Sequence, residues 1–390
     1  MRFTFSNIYK IIFCCSLFFA STVSVFSQGA SKSSPFGAEK KPYWWTLEQG
    51  KKAFREGAYG NALIAFETAR NDRREMYTKM EADWISLLSI DEVRRMHNSL
   101  EQIERYIQER GQFDAAAGLA EIYYRIKKEV LNDSAQTVLN YFGRLKEYPE
   151  ADYWIGETYR LEGELSIALK QYKEALKNSE MLQDPDFIIE IQYKIAEVEK
   201  LRQNYNAMQT QLEEIIQRDK VLQGNTSAEN SSFLQKAMRD TLARDGINNF
   251  LVMYRYKNTQ TEKAYRLLGY FYYSSGRHEK AQEQLVFAAL IQNTIIIEQA
   301  IEKRFDFKFS TLENLMTEIE RRTYLHEYMR DTEYFKTLYY LAVSLYATNK
   351  QKAANSIWQF LAKENKAGQW QSRSKKQLAS PYIERAVEMP

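Results

Sequence analysis

Histidine, proline and cysteine are scarce in this 390-residue chain, with 3, 6 and 2 copies. Both cysteines, Cys14 and Cys15, fall in an apolar stretch near the start. If that stretch is removed, no thiol is left to form a disulfide, bind a metal or carry redox chemistry. The histidines His97, His278 and His326 stand alone, none in an H-E-x-x-H spacing, so a histidine-based metal centre or base is not expected. No G-x-G-x-x-G, G-x-x-x-x-G-K-[ST] or G-x-S-x-G occurs, which leaves a phosphate cradle or a serine nucleophile without support. Lys and Arg number 54 against 51 Asp and Glu, so no global field selects nucleic acid or anionic lipid. Local basic pairs such as Arg73-Arg74 and Lys375-Lys376 are short and offset by neighbouring acids. Carboxylates such as Glu213, Glu214, Asp240 and Asp245 read as solvated helix faces, not as a desolvated acid–base pair. The chain is expected to be no enzyme and to need no cofactor or metal.

Only 15 glycines interrupt a chain rich in Leu, Ala, Glu, Lys, Gln and Arg, a composition that favours helix over sheet. At the start, Arg2 and Lys10 precede an apolar run from Ile11 to Phe26, and Val25-Phe26-Ser27 suits a signal peptidase. Residues 1–27 are expected to be a cleaved secretory signal. The alternatives are an uncleaved anchor over 11–27 and lipoprotein processing, which Phe13 before Cys14 fits poorly. Each puts the folded part outside the cytoplasm. No later stretch is apolar enough to suggest a second span. Residues 28–41 read as a flexible tether, 42–221 as one helical block, 222–232 as a linker, and 233–390 as a second block. Ser231 or Ser232 is the expected N-cap of the helix after the linker, and the last residues are expected to form capping helices.

Within ADYWIGETYRLEGELSIALKQYKEAL, residues 151–176, Gly156 is followed at fixed offsets by Tyr159, Gly163, Ala168, Tyr172 and Ala175. From Gly269 the same offsets reach Tyr272, Gly276, Ala281, Leu285 and Ala288. From Gly50 they reach Gly57, Ala62, Phe66 and Ala69; from Ala342, Leu345, Asn349, Ala354, Trp358 and Leu361; from Ala196, Gln203, Met208, Leu212 and Ile215. Two antiparallel helices approach closely only where a small side chain faces a small or flat one, so the small residues mark a crossing and the aromatics fill the space around it. The residue between them, Gly163 in the clearest copy, ends the first helix. Such a hairpin cannot bury its own apolar face, so several must stack. Successive markers from Gly156 onwards lie 40, 73 and 73 residues apart, so each long interval is expected to hold an extra, divergent helix pair. Residues 73–128 also read as helices, and 291–322 as one long helix turning near Phe307 to Ser310 into another.

The chain resembles the tetratricopeptide repeat (TPR) family, most fully in the copies at Gly156 and Gly269. The resemblance implies an all-α, right-handed α-solenoid of antiparallel helix pairs. Its structural repeat positions are Gly50, Ala62, Gly156, Ala168, Ala196, Gly269, Ala281, Ala342 and Ala354. It also implies that the first helix of each pair lines a concave, partner-binding face carrying Tyr153, Arg160, Tyr193, Lys200, Arg266, Tyr270, Tyr273, Lys336, Tyr339 and Tyr346. The asparagine places with which chaperone-binding members clamp a peptide carboxylate hold Glu157 and Lys194 here, so that clamp is not expected. The function implied is a scaffold or adaptor for one or more envelope proteins, most naturally in a bacterial periplasm, as part of a secretion, outer-membrane biogenesis or periplasmic flagellar collar assembly. Membrane contact is expected only through an uncleaved N-terminus. The alternative is a receptor for peptidoglycan fragments or small ligands, which an aromatic pocket near Tyr270 and Tyr273 would favour. On this register, reversing the charge of Arg266 together with Tyr270→Ala is expected to spare the fold and lose the partner. Ala281→Leu overpacks a helix crossing and is expected to cost about 1–3 kcal/mol, read as a lowered thermal midpoint; an unchanged melt would contradict the register.

Overall fold

A computed structural model describes residues 41–87, 134–218, 228–302 and 311–385. Among them every regular element is an α-helix or a short 3-10 turn, and no strand occurs. The expected signal and most of the tether lie outside the described residues, as do residues 88–133 of the stretch read as extra helices. The helices are α1 (Tyr43–Arg55), α2 (Tyr59–Leu87), α3 (Ser134–Leu145), α4 (Pro149–Leu161), α5 (Leu165–Lys177), α6 (Phe187–Leu201) and α7 (Tyr205–Gln217). They continue as α8 (Ala228–Met253), α9 (Glu262–Ser274), α10 (His278–Glu302), α11 (Leu312–Ile319), α12 (Thr323–Asp331), α13 (Tyr334–Ala347), α14 (Gln351–Lys363) and α15 (Gln369–Ala379). Residues Tyr43–Pro390 belong to one compact unit.

The five sequence copies are the hairpins α1/α2, α4/α5, α6/α7, α9/α10 and α13/α14. In each, the marker residue is buried in the first helix, and the residues 12, 16 and 19 places later are buried in the second. A Cβ added to Gly156 would come within 2.8 Å of the Tyr172 ring, one added to Gly50 within 2.5 Å of the Phe66 ring, and one added to Gly269 within 2.5 Å of Leu285. In all three the obstructing residue is the one 16 places on, so the glycines occupy equivalent crossings.

Each first helix also ends the same way. Gly57, Gly163, Gln203, Gly276 and Asn349, all seven places after their markers, have left-handed backbone, with φ between 60° and 84°. The next residue's amide reaches back five residues in every copy: Ala58 to the Ala53 carbonyl (2.9 Å), Glu164 to Tyr159 (2.9 Å), Asn204 to Glu199 (2.8 Å), Arg277 to Tyr272 (2.8 Å) and Lys350 to Leu345 (2.9 Å). This two-bond cap satisfies carbonyls the helix leaves free and reverses the chain at a fixed angle.

Each hairpin packs on the next: α2 on α4, α5 on α6, α7 on α9, α10 on α13, and α14 on α15. The contact of α7 with α9 carries the stacking across the expected linker. The helix after that linker starts at Ala228, so Ser231 and Ser232 lie within it instead of capping it. Residues 219–227 lie outside the described residues. Gly246 breaks α8 (φ 76°, ψ 169°), and the amide of Ile247 there donates to the Ser356 hydroxyl at 3.3 Å. The first 73-residue interval thus holds the broken α8, and the second holds the short pair α11 and α12. Pro149 opens α4 as a first-turn proline. Of the capping helices expected in the tail, α15 forms and packs on α14, whereas residues 381–385 beyond it form no regular element, and Pro381 ends helical conformation there.

By length and composition α10 could cross a membrane, with a mean hydropathy of 1.4 over 18 residues, contrary to the reading that no later stretch is that apolar. Some 83% of that window is buried inside the unit, so its apolar character belongs to the core.

Two substitutions follow from this geometry. Gly156→Ala gains about 0.5–1 kcal/mol of helix propensity but must displace the Tyr172 ring, so a net loss of about 1–2 kcal/mol is expected. Gln203→Gly relieves a left-handed side chain, worth about 1–2 kcal/mol, against a glycine entropy cost of up to about 1 kcal/mol, so it should raise stability slightly. Chemical denaturation of both variants reads the opposite signs.

Candidate interaction surface

The first helices bring the expected contact residues onto related faces, but most are already in contact with this chain's own groups. Seven of the ten are buried: Tyr153, Tyr193, Arg266, Tyr270, Tyr273, Lys336 and Tyr339. Arg160, Lys200 and Tyr346 are half-buried. The Tyr153 ring meets Phe187 edge-on at 4.7 Å. The Tyr193 hydroxyl donates to the Gln260 carbonyl at 2.7 Å and accepts from the Ala264 amide at 3.0 Å, joining α6 to the start of α9. Tyr270 pairs with the Thr337 hydroxyl at 3.1 Å and packs against Tyr340. These side chains weld neighbouring hairpins together, because a first helix in a stack faces the next first helix before it faces solvent. The double change at Arg266 and Tyr270 would therefore damage the fold, and the expectation that it spares it is withdrawn.

Two charged clusters run along these helices. In the first, the buried Glu157 accepts from Arg160 Nε (3.1 Å) and NH2 (3.0 Å), from Lys194 Nζ (3.2 Å) and from the Tyr172 hydroxyl, while Arg160 NH1 also donates to Glu197 at 3.2 Å. In the second, Arg266 donates to Glu262 (2.9 Å) and Glu333 (2.7 Å), Lys336 to Glu333 (2.8 Å), and Gln292 to Glu262 (2.7 Å). Lys200 stands between them: burial pushes its ammonium down, against the pull of Glu197 and Glu333.

The two central carboxylates shift oppositely. For Glu157 burial raises the pKa, but the hydrogen bonds from Arg160 and Tyr172 and the charges of Lys194 and Arg160 outweigh it, and the carboxyl is held below its ordinary 4.5. For Glu262 burial prevails over Arg266, and the carboxyl is raised. Glu157 accepts from two cations and a tyrosine hydroxyl, and Glu262 from one guanidinium and one amide, an arrangement suited to holding helices in register. Among the described residues no group of three His, Cys, Asp or Glu side chains is arranged to hold a metal ion.

The open part of this face lies at the end of the stack. A cavity of about 970 Å³ is lined by α12, α13, the 366–370 turn and α15, with Arg330, Lys336, Lys366 and Arg373 around Phe335 and Trp370. His326 lines it too and accepts from Lys366 Nζ at 2.6 Å when its ring is neutral; burial and then the Lys366 charge push its pKa down. His278 opens α10 beside the Tyr273 ring, and His97 lies outside the described residues. Across the neighbouring tyrosines lies the irregular segment 381–385. Tyr273 donates to the Glu384 carbonyl (2.6 Å) and Tyr346 to that of Pro381 (3.4 Å). Gln377 pairs with the main chain of Tyr382 in both directions, at 3.1 and 2.9 Å, and donates to Tyr339 at 3.1 Å. The aromatic place near Tyr270 and Tyr273 is thus filled by Tyr340 and the tail.

A scan against protein-family models finds no match. An uncharacterized protein of Treponema pallidum (strain Nichols) is similar to this chain, 21% identical over 353 residues that cover 90% of the chain and 94% of that protein.

Two features escaped the sequence reading. Arg73, read there as part of a surface basic pair, is buried; its Nε donates to the Leu145 carbonyl at 2.9 Å and its guanidinium lies over Tyr43, Tyr77 and Tyr148. The buried carboxylates Glu157 and Glu262 were the other, although their spacing to Arg160 (three places) and Arg266 (four) is the helical ion-pair signature.

Because Glu157 is depressed, it stabilises the fold above about pH 4.5, and that contribution is lost as pH falls through its folded pKa. Glu262 is raised, so its contribution is greatest below 4.5 and declines as pH rises through its folded pKa. Glu157→Gln is expected to cost about 2 kcal/mol near neutrality and to flatten the loss of melting temperature on acidification. Glu262→Gln is expected to steepen it. Melting curves between about pH 3 and 7 check both signs.

Proposed function

We propose that the chain is a non-catalytic scaffold of the tetratricopeptide type, a right-handed α-solenoid that holds one or more protein partners in a bacterial cell-envelope assembly. The observation that carries the reading is the fivefold recurrence of one hairpin, with the same left-handed residue seven places after the same small residue and each hairpin stacked on the next. Repetition of this kind produces a long, preformed surface that associates with little folding cost. The export signal read at residues 1–27 supports a periplasmic location, or attachment to the inner membrane through residues 11–27 if the signal stays uncut. The polar character of the buried clusters supports a holding role, since each carboxylate is committed to cations of the chain itself. A secretion apparatus, outer-membrane biogenesis machinery and a periplasmic flagellar collar all offer partners of this class.

The test is crosslinking in intact cells. Photo-crosslinking residues placed at the exposed Glu190 of α6 and Lys263 of α9 should capture discrete envelope proteins, and one at the exposed Lys173 of α5 should capture fewer. Absence of any discrete product from the first two positions would remove the scaffold reading.

A further inference from the structure

We propose that the face formed by α9, α13 and α15 is a binding site for a peptide segment that presents a carboxylate to Arg373, and that residues 381–385 occupy it as a built-in competitor. The inference rests on the scaffold reading and names the partner's chemistry. Four observations carry it.

The tail is held through its main chain. Tyr273 and Tyr346 donate to the carbonyls of Glu384 and Pro381, and Gln377 grips the amide and carbonyl of Tyr382. Any extended segment presents those groups, so these contacts do not depend on the tail's own sequence. The tail's apolar side chains contribute little, because Tyr382 and Ile383 remain 44% and 45% exposed.

The side chain that faces the site is Glu384. Its Oε1 lies 3.7 Å from Arg373, and its carboxylate is among the charges that push up the Tyr273 and Tyr339 hydroxyls after burial itself. The Tyr339 hydroxyl also bears on this carboxylate, but no donor sits in full hydrogen-bond geometry at its buried Oε2, so the tail holds the group loosely. A carboxylate on a segment free to adjust its reach makes the bond that Glu384 misses.

The adjoining cavity supplies the complementary charge. Arg330, Lys336, Lys366 and Arg373 line it with Glu327 and Glu333, and Glu384 and Arg385 of the tail line it too. Glu333 is already shared by Arg266 and Lys336, and Arg330 pairs with Asp331 at 3.1 Å, so Lys366, beside the His326 ring, is the cation a second acidic residue of a bound segment would meet. Trp370 and Phe335 give that segment an apolar wall.

The probe is a fluorescent synthetic peptide ASPYIER, the sequence of residues 379–385, titrated by anisotropy into the full chain and into the full chain carrying Glu384→Lys. The lysine meets Arg373, so the Tyr382 amide should exchange at least tenfold faster in the variant, and the peptide should bind the variant at least tenfold more tightly than the wild type. A peptide with lysine in place of its glutamate should bind neither. If Glu384→Lys lowers the melting temperature, Glu384→Ala replaces it, with the same direction expected. Unchanged Tyr382 exchange, equal peptide affinity for both chains, or equal binding of the lysine peptide would overturn the proposal. So would a concentration-dependent dimer whose tails exchange between copies, since the occupant would then be a second chain. In-cell crosslinks from Glu190 and Lys263 that persist alongside a failed titration would leave the scaffold reading standing and remove this site alone.

Discussion

The close approach of two antiparallel helices at one small residue governs the rest of this structure. Gly156, Gly50 and Gly269 have no room for a Cβ because a large side chain 16 places on occupies the space. With the crossing placed, the first helix can run only a short way before it must reverse. The reversal falls seven places on in every copy and uses left-handed backbone even where the residue is Gln203 or Asn349. Glycine is the cheaper residue there, yet two copies carry a side chain; the i−5 hydrogen bond and the packed pair offset a strain of about 1–2 kcal/mol.

Stacking such hairpins brings polar first-helix positions against one another. Glu157, Arg160, Lys194 and Glu197 meet across α4 and α6; Glu262, Arg266, Glu333 and Lys336 meet across α9 and α13. Buried pairs of this kind contribute little net stability over apolar residues of the same size. Their effect lies in what they penalise. A slip of one hairpin relative to its neighbour would take Lys194 from Glu157 and Glu333 from Arg266, leaving the intrahelical pairs incompletely matched, so the clusters favour the stack that forms.

The helical class, the five crossings and the turn positions were legible because packing and backbone sterics act within about 20 residues of sequence and leave small residues and glycines at fixed offsets. The ends of the hairpins were legible for the same reason, as at Pro149. What the inner face contains was not. Whether Tyr270 looks at solvent or at Thr337 depends on a helix 67 residues away, and composition cannot distinguish a tyrosine that binds from one that packs. Arg73 misled for a related reason: its cage takes Tyr43 from α1 and Tyr148 from the turn before α4. The tail's position over Tyr273, more than 100 residues distant in sequence, had no local signal at all.

The irregular spacing of the copies bears on where an open site can form. The second and third hairpins follow one another directly, with α5 packed on α6, whereas α3 and residues 88–133 stand between the first hairpin and the second. The two long intervals insert α8, which packs on α10, α11 and α14, and the short pair α11 and α12, which packs beside α10. These additions thicken the C-terminal half into the largest core cluster and push α12 outwards against α13. The wall so created is lined by Arg330 from α12 together with Lys366 and Arg373. Regular stacking closes each face with the next hairpin; the last hairpin is covered on α14 by α8 and α15, and the tyrosines of α9 and α13 by residues 381–385, and a segment held by a handful of hydrogen bonds opens at low cost.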